Sequence, residues 1–477
     1  VTYSCARREV LLGGASLSIA MLASPPSLAA ITTKVQRLVS SCGIEAWFVR
    51  DSTVPLIAME FAFGGGATQD PTDKAGVGHM VAGRLNEGSG DLDFRAFHER
   101  LDRRALELSF GSTHDHFCGA LRTLEDNGDG AFDLLRMALI SPRFDPTDVQ
   151  RIRASMLARL RHYSTDPSSL ADRKFLEVAF NDHPYARPAA GSIESLPKIK
   201  VADLKSHVRR VIARDTLKIA VVGNVDPEVL CKLLDKTFGG LPAKADSTPV
   251  PDVVVAKPPQ RVFIPFDVPQ TVVAFGGPGV RRSEPDFMAA YVVNHILGGA
   301  GLRSRLFREV REKRGLAYFV REHLVWRDHS AMFVGKSGTR ADRAGETVEQ
   351  IEKQARHIAE AGPTQQELDD AKSCLKGSQM LALNSSSKLA RTLLQHQLDK
   401  LPIDYFEKHN AVVDSVTLED AKRVAQRLWG QGLLTFIVGR APLGADRSSP
   451  VPSATTPPPH VDQLSATPSP TLPREPN

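Results

Sequence analysis

The chain has 477 residues, 42% hydrophobic and 24% charged, with 60 Lys and Arg against 55 Asp and Glu for a net charge of +5. That length is too great for one ordinary domain, and the composition excludes a disordered, collagen-like or disulfide-dense chain. The mild positive charge is spread along the sequence and gives no case for a nucleic-acid partner, and no apolar run reaches the length of about 18 residues that a membrane span needs.

The first thirty residues stand apart. Arg7-Arg8 precedes a modestly apolar stretch over residues 10–23, and small residues follow at Ser27, Ala29 and Ala30. Residues 1–30 read as a signal peptide of twin-arginine type, cleaved near Ala29 or Ala30 and directing the protein to the bacterial periplasm. An ordinary secretory signal that happens to carry two arginines is the alternative. Cys42, Cys118, Cys231 and Cys374 remain after cleavage. In an oxidising compartment four cysteines can pair in three ways. Their wide spacing favours buried free thiols, and no CxxC metal spacing occurs.

Strands and helices then alternate. Residues 55–63 form an apolar strand running into Gly64-Gly65-Gly66. Phe132, Leu135 and Leu139 have the i, i+3, i+7 spacing of an apolar helix face. Pro146 opens the next helix, at a turn where its missing N–H is not needed. Val201-Ala202-Asp203 opens another, and Ile219-Ala220-Val221-Val222-Gly223 is a strand. A Pro- and Ala-rich linker covers residues 241–260. The same order then returns at an offset near 216: a strand over 271–275 into Gly276-Gly277, a helix face at Val348, Ile351 and Ala355, a helix start at Pro363, an opening at Thr417-Leu418-Glu419, and the strand Phe436-Ile437-Val438-Gly439. Residues 31–240 and 261–441 are therefore two homologous α+β halves, each expected as an antiparallel sheet with helices packed on one face. Residues 442–477 hold ten prolines in 36 positions and read as a disordered tail.

Three words carry a family resemblance: Lys74-Ala75-Gly76-Val77-Gly78-His79, His183-Pro184-Tyr185-Ala186-Arg187-Pro188 and, most specific, Ser304-Arg305-Leu306-Phe307-Arg308-Glu309-Val310-Arg311-Glu312-Lys313-Arg314-Gly315-Leu316-Ala317-Tyr318. In their repeated setting they resemble the pitrilysin (insulinase) metallopeptidases, in the group that includes the mitochondrial processing peptidase subunits. The resemblance runs over roughly residues 35–440. It implies two α/β rolls packed as half of a clam-shell, two such halves enclosing a chamber for unfolded peptides. It also implies HxxEH on a helix, with a second carboxylate downstream. Two His at i and i+4 share a helical face and hold zinc, and the Glu between them is the base for the attacking water.

Here that motif is broken. His79 remains, but the base position is Ala82 and the second His position is Gly83. The downstream carboxylate would fall near Leu157, Ala158 and Arg159, and no Glu occurs between Glu125 and Glu177. No zinc and no other cofactor is expected in this chain, and His79 reads as a partly buried helix histidine. His114-Asp115-His116 would place two imidazoles on one side of a strand, without a third ligand. His295, 216 residues after His79, is its echo in the repeat.

The second half keeps what the first lost. The resemblance implies an Arg and a Tyr seven residues apart that meet the substrate at the zinc site, and Arg311 and Tyr318 match them. Arg311 falls in the last turn of a helix, Gly315 can take a left-handed cap, and Tyr318 starts the next strand. A guanidinium and a phenol aimed at one point can donate to a peptide carbonyl and to the oxyanion as it forms. The expected function is therefore the zinc-less subunit of an exported heterodimeric metallopeptidase. A homologous partner would hold the zinc, and peptides would be the substrate. A non-catalytic structural or peptide-binding subunit is the alternative, and an independent peptidase with a cryptic metal site a third reading.

Overall fold

A computed structural model describes residues 34–381 and 385–440, so the signal-peptide reading and the proline-rich tail lie outside the described residues. In the first half the elements are β1 (Gln36–Val39), β2 (Glu45–Arg50), β3 (Leu56–Gly64), α1 (Val77–Ala82), α2 (Phe94–Arg103), β4 (Glu107–Ser112), β5 (His116–Leu124), α3 (Gly128–Ile140), α4 (Pro146–Ser164), α5 (Pro167–Phe180), α6 (Val201–Val211), β6 (Lys218–Gly223) and α7 (Pro227–Phe238). The second half runs β7 (Gln260–Pro265), β8 (Gln270–Pro278), α8 (Phe287–Asn294), β9 (Ala317–Arg327), β10 (Ser330–Arg340), α9 (Ala344–Ala361), α10 (Gln365–Leu381), α11 (Ser386–Leu398), α12 (Tyr405–Asp414), α13 (Leu418–Trp429) and β11 (Leu434–Gly439). Two π-helical turns, His295–Gly299 and Phe307–Glu312, lie between α8 and β9.

The strands form two sheets, ordered β1-β2-β6-β3-β5-β4 and β7-β11-β8-β10-β9. Replacing β2, β6, β3, β5 and β4 by β7, β11, β8, β10 and β9 turns the first order into the second, with β1 as an extra edge. This is the duplication read from the sequence. Phe132, Leu135 and Leu139 on α3, and Val348, Ile351 and Ala355 on α9, are all buried against their own sheets. The expectation of antiparallel sheets needs one correction. β2 pairs β6 in parallel (Phe48 opposite Val221) and β7 pairs β11 in parallel (Val262 opposite Phe436), so each sheet is mixed.

The expectation of helices on one face also fails. Strand β5, one in from the β4 edge, alternates, with Phe117, Leu121 and Thr123 buried between more exposed neighbours, as a sheet covered on one side should. The central strands do not alternate. Every residue from Ile57 to Phe63 is buried, as is every residue from Ile219 to Gly223. On β2, β3 and β6, Phe48, Phe61 and Val221 face the main helical layer. Trp47, Val49, Ala62, Ala220 and Val222 face the other way, onto Leu389, Ala390, Leu393 and Leu394 of α11. That helix belongs to the second half. Reciprocally, Ala171, Phe175 and Ala179 of α5 pack on Val272, Ala274, Leu434, Phe436 and Val438 of the second sheet. Phe175 meets the Phe436 ring edge-on at 5.5 Å. Gly276 makes this possible, because a Cβ there would lie 2.6 Å from the Phe175 ring. The halves thus exchange one helix each, and the described residues from Val35 to Arg440 make one compact unit.

The linker also packs. Val255 is buried in the same cluster as α5, and Val253 N donates to His329 O at 2.9 Å. All four cysteines described are free, but only Cys118 and Cys231 are partly covered; Cys42 and Cys374 are exposed, contrary to the expectation of buried thiols. Among the described residues no helix is long and apolar enough to cross a membrane.

Candidate functional site

The His79 helix, α1, is only six residues long. Its start is fixed by Asp70, whose buried carboxylate accepts from Gly76 N at 2.7 Å and Gly78 N at 2.9 Å and so satisfies donors that a helix N-terminus leaves open. Burial pushes the Asp70 pKa up to about 6 despite those bonds. His207 of α6 lies 3.7 Å from the same carboxylate, but burial holds its pKa down to about 4, so the pair carries no imidazolium at neutral pH.

His79 itself is half-buried; Ala82 is buried, and Gly83 is exposed just past the helix end. Burial first, and then the Arg159 guanidinium, lower the His79 pKa. Arg159 comes from α4, at the place where the downstream carboxylate of the intact motif would fall. A positive charge therefore stands near the imidazole where a zinc site needs a negative one. Among the described residues no three His, Cys, Asp or Glu side chains are grouped to hold a metal. One imidazole beside a guanidinium, an alanine and a glycine does not fit zinc, which takes three protein ligands in a catalytic site.

Arg311 and Tyr318 are brought together. Arg311 sits in the last helical turn before β9, the π-helical turn Phe307–Glu312. Gly315 has φ +57° and donates to Arg311 O at 2.9 Å, while Leu316 N donates to Val310 O at 3.0 Å. This left-handed cap turns the chain into β9, where Tyr318 is the second residue. The Arg311 guanidinium lies 4.9 Å from the Phe307 ring centre and 5.7 Å from that of Tyr318. Tyr318 is 74% exposed. The other cations of this word have carboxylate partners. Arg305 grips Glu367 of α10 with Nε at 2.7 Å and Nη2 at 2.5 Å, and Arg308 reaches the same carboxylate at 3.3 Å. Lys313 and Arg314 both pair with Glu309, at 2.6 and 2.7 Å. Among the described residues Arg311 has no acidic partner and no side-chain hydrogen bond. The cations around it hold the segment in place and leave its own donors open.

Residues 49–192 match the family described as insulinase (peptidase family M16), and residues 198–375 match the peptidase M16 inactive domain. The chain belongs to the insulinase family of peptidases. A Helicobacter pylori protein named as the non-peptidase homolog YmxG is 29% identical over 356 residues, covering 74% of this chain and 81% of that protein. A Mycobacterium tuberculosis protein named an uncharacterized zinc protease is 27% identical over 397 residues, covering 81% of this chain and 88% of that one. Among solved structures, the peptidase M16 inactive domain from Pseudomonas fluorescens superposes with a TM-score of 0.81 at 27% identity, covering 87% of this chain and all of that one. A Helicobacter pylori protease shares the fold, with a TM-score of 0.78 at 19% identity over 85% of this chain and 99% of the other. This chain is an inactive member of the family by its own residues as well: the first half has the insulinase fold without the residues that hold and use zinc.

His114 and His116 serve a different purpose. His114 and Asp115 lie in the turn before β5, and only His116 is in the strand, so the expected shared face does not exist. His114 Nε2 contacts Arg187 O at 3.1 Å, and burial brings its pKa down to about 4. His116 Nε2 is 3.3 Å from Asp328 of the second half, which raises its pKa against the effect of burial. Between them, Asp115 accepts from the Tyr185 hydroxyl at 2.6 Å and from Asp328 N at 3.3 Å, and the same hydroxyl accepts from His329 N at 3.1 Å. The Arg327 guanidinium lies 4.6 Å from the Tyr185 ring centre. The word around Tyr185 and the His114 turn are thus the joint between the two halves. No sequence signal pairs residues this far apart.

Proposed function

We propose that this chain is the zinc-less subunit of an exported heterodimeric metallopeptidase that cuts peptides or unfolded proteins. A homologous partner with an intact HxxEH helix would bring the zinc and the general base. This chain would contribute half of the chamber wall and, across the interface, Arg311 and Tyr318. The observation that carries this reading is the contrast between the two halves. Ala82 stands at the base position, Gly83 at the second ligand and Arg159 near the third, yet among the described residues Arg311 has no acidic partner and lies beside an exposed phenol. A guanidinium and a phenol so placed can orient a substrate carbonyl and take up negative charge on its oxygen. The arginine-led leader at Arg7-Arg8 supports export.

The test is to purify this chain alone and together with a homologous HxxEH subunit, then measure bound zinc and peptide cleavage. The lone chain is expected to be zinc-free and inactive, and the pair active. In the pair, Arg311→Ala and Tyr318→Phe should each lower kcat/KM by about 10²–10³, as the loss of one oxyanion donor does. Unchanged rates in both variants would leave this chain as a structural subunit. Zinc and activity in the lone chain would end the split-site idea.

A further inference from the structure

The second half contains a cavity of about 540 Å³ that the peptidase reading does not use. This is within the range of sites for small ligands. Four aromatic side chains line it: Phe287 and Tyr291 of α8, Trp326 of β9 and Tyr405 of α12. Arg282 lies among them with its side chain only 16% exposed. Its guanidinium carbon is 4.3 Å from the Phe287 ring centre and 5.1 Å from that of Tyr405.

Arg282 is answered on one side only. Its nearest carboxylate, Asp399, is 3.5 Å from Nε, beyond good ion-pair hydrogen-bond range. Trp326 Nε1 and Gln395 Nε2 donate to Asp399 Oδ1 at 3.0 and 2.9 Å, and only its Oδ2 is turned toward Arg282. No described residue hydrogen-bonds Arg282 Nη1 or Nη2, and neither is among the nitrogens sealed from solvent without a partner. The other arginine on the rim, Arg391, is paired with Glu60 at 3.1 Å. On the same wall the His396 ring is kept neutral, because burial, Arg282 and His409 hold its pKa down to about 4. Its Nδ1 is sealed without a partner, which leaves Nε2 as the nitrogen available to the cavity.

A planar fork of donors, set over two rings and touched by its carboxylate partner only at Nε, leaves Nη1 and Nη2 for the two oxygens of a second carboxylate. The stacking fixes the fork in advance, so a ligand need not order it. We propose that this cavity binds an aromatic carboxylate, with its ring among Phe287, Tyr291, Trp326 and Tyr405 and its carboxylate on the open nitrogens of Arg282. The C-terminal aromatic residue of a peptide and a free aromatic acid share this chemistry.

The full chain provides its own probe. Trp47 and Trp429 are buried in the cores, whereas Trp326 lines the cavity, so a ligand there should change tryptophan emission. Titration by fluorescence and calorimetry would compare N-acetylphenylalanine, its amide, N-acetylleucine and a penta-alanyl peptide ending in phenylalanine. The acid should bind at least about tenfold more tightly than the amide and than the leucine derivative, since a charge-assisted bidentate pair is worth that much or more. Arg282→Lys keeps the charge but loses the fork, and should bring the acid down to the amide's affinity. A tighter peptide would identify a C-terminus as the ligand; equal affinity would show that a free aromatic acid suffices. Acid and amide binding alike to the wild-type chain, or no binding of either at millimolar concentration, would overturn the proposal and leave Arg282 as a staple between α8 and α12.

Discussion

Replacing Tyr185 by Phe removes one atom from the joint between the halves and leaves the rest in place. The ring is fully buried against Phe180 and His183, so its packing carries over. Burial and the neighbouring Asp115 carboxylate raise the Tyr185 pKa, so the hydroxyl stays protonated and donates at every working pH. Without it, Asp115, only 9% exposed, keeps the single Asp328 N–H at 3.3 Å, and His329 N loses its acceptor. A hydrogen bond to a charged group contributes about 1.5–3 kcal/mol, and a buried acceptor left short of donors adds its desolvation cost. The hydroxyl does not face water in the folded state, so its removal offers little apolar gain in return. The expected loss is about 2–3 kcal/mol. Urea unfolding at pH 7 would show it as a lower midpoint at unchanged slope. Tyr163→Phe, on an exposed ring, serves as the control and should stay within about 0.5 kcal/mol of the parent. If Tyr185→Phe also stays within about 0.5 kcal/mol, the joint is not held by this hydroxyl and the reasoning fails.

Phe175→Ala, which empties the contact of α5 with the opposite sheet, should cost about 3–5 kcal/mol in the same assay; a cost below about 1 kcal/mol would mean that α5 only rests on that face. His114, His207 and His396 have folded pKa values near 4, so their ring proton resonances should hold their neutral positions down to pH 5. Their unfolded counterparts take up protons from about pH 6.5, so these three draw stability away as the pH falls from about 6.5 to about 4, and a midpoint near 6.5 for any of them refutes the assignment. Asp70, with its pKa raised to about 6, works in the opposite direction, adding stability as the pH falls from about 6 toward the ordinary Asp value. Changing Arg7-Arg8 to Lys-Lys should trap the precursor in the cytoplasm; normal processing and export would count against the twin-arginine route.

The duplication was legible because it is written in local patterns. The apolar strands at 219–223 and 436–439, and the helix faces at Phe132 and Val348, announce themselves within a few residues. The second cover on each sheet left a sign as well. Ile219 to Val222 is a continuous apolar run, which a strand buried on both faces has and a one-sided strand does not. Helices expected on one face only leave no place for α5 and α11 on the other. At the candidate site the losses at Ala82 and Gly83, and the Arg311 and Tyr318 match, are read by setting single residues against the motifs that the resemblance implies. Periodicity could not reveal that Arg311 lacks an acid, because its neighbours' partners include Glu367, some 60 positions away. The roles of Tyr185, Arg159 and Arg282 belong to the same class. Each depends on a contact between distant segments, and a side chain's partners across the fold leave no mark in its own neighbourhood.

The exchange of helices also sets an order of events at the ribosome. The outer faces of β2, β3 and β6 are complete as strands once residue 223 has emerged, yet their cover is the helix Ser386–Leu398. Until that helix arrives, Trp47, Val49, Ala220 and Val222 form a bare apolar surface on a finished sheet. Meanwhile α5, synthesised early, waits for β8 and β11 to exist before it has a place to dock. Neither copy of the ancestral unit can therefore mature as an independent product. A nascent chain stalled before residue 386 is a ready client for holding chaperones, and α5 finds its full seat only when β11, the last strand among the described residues, joins the second sheet.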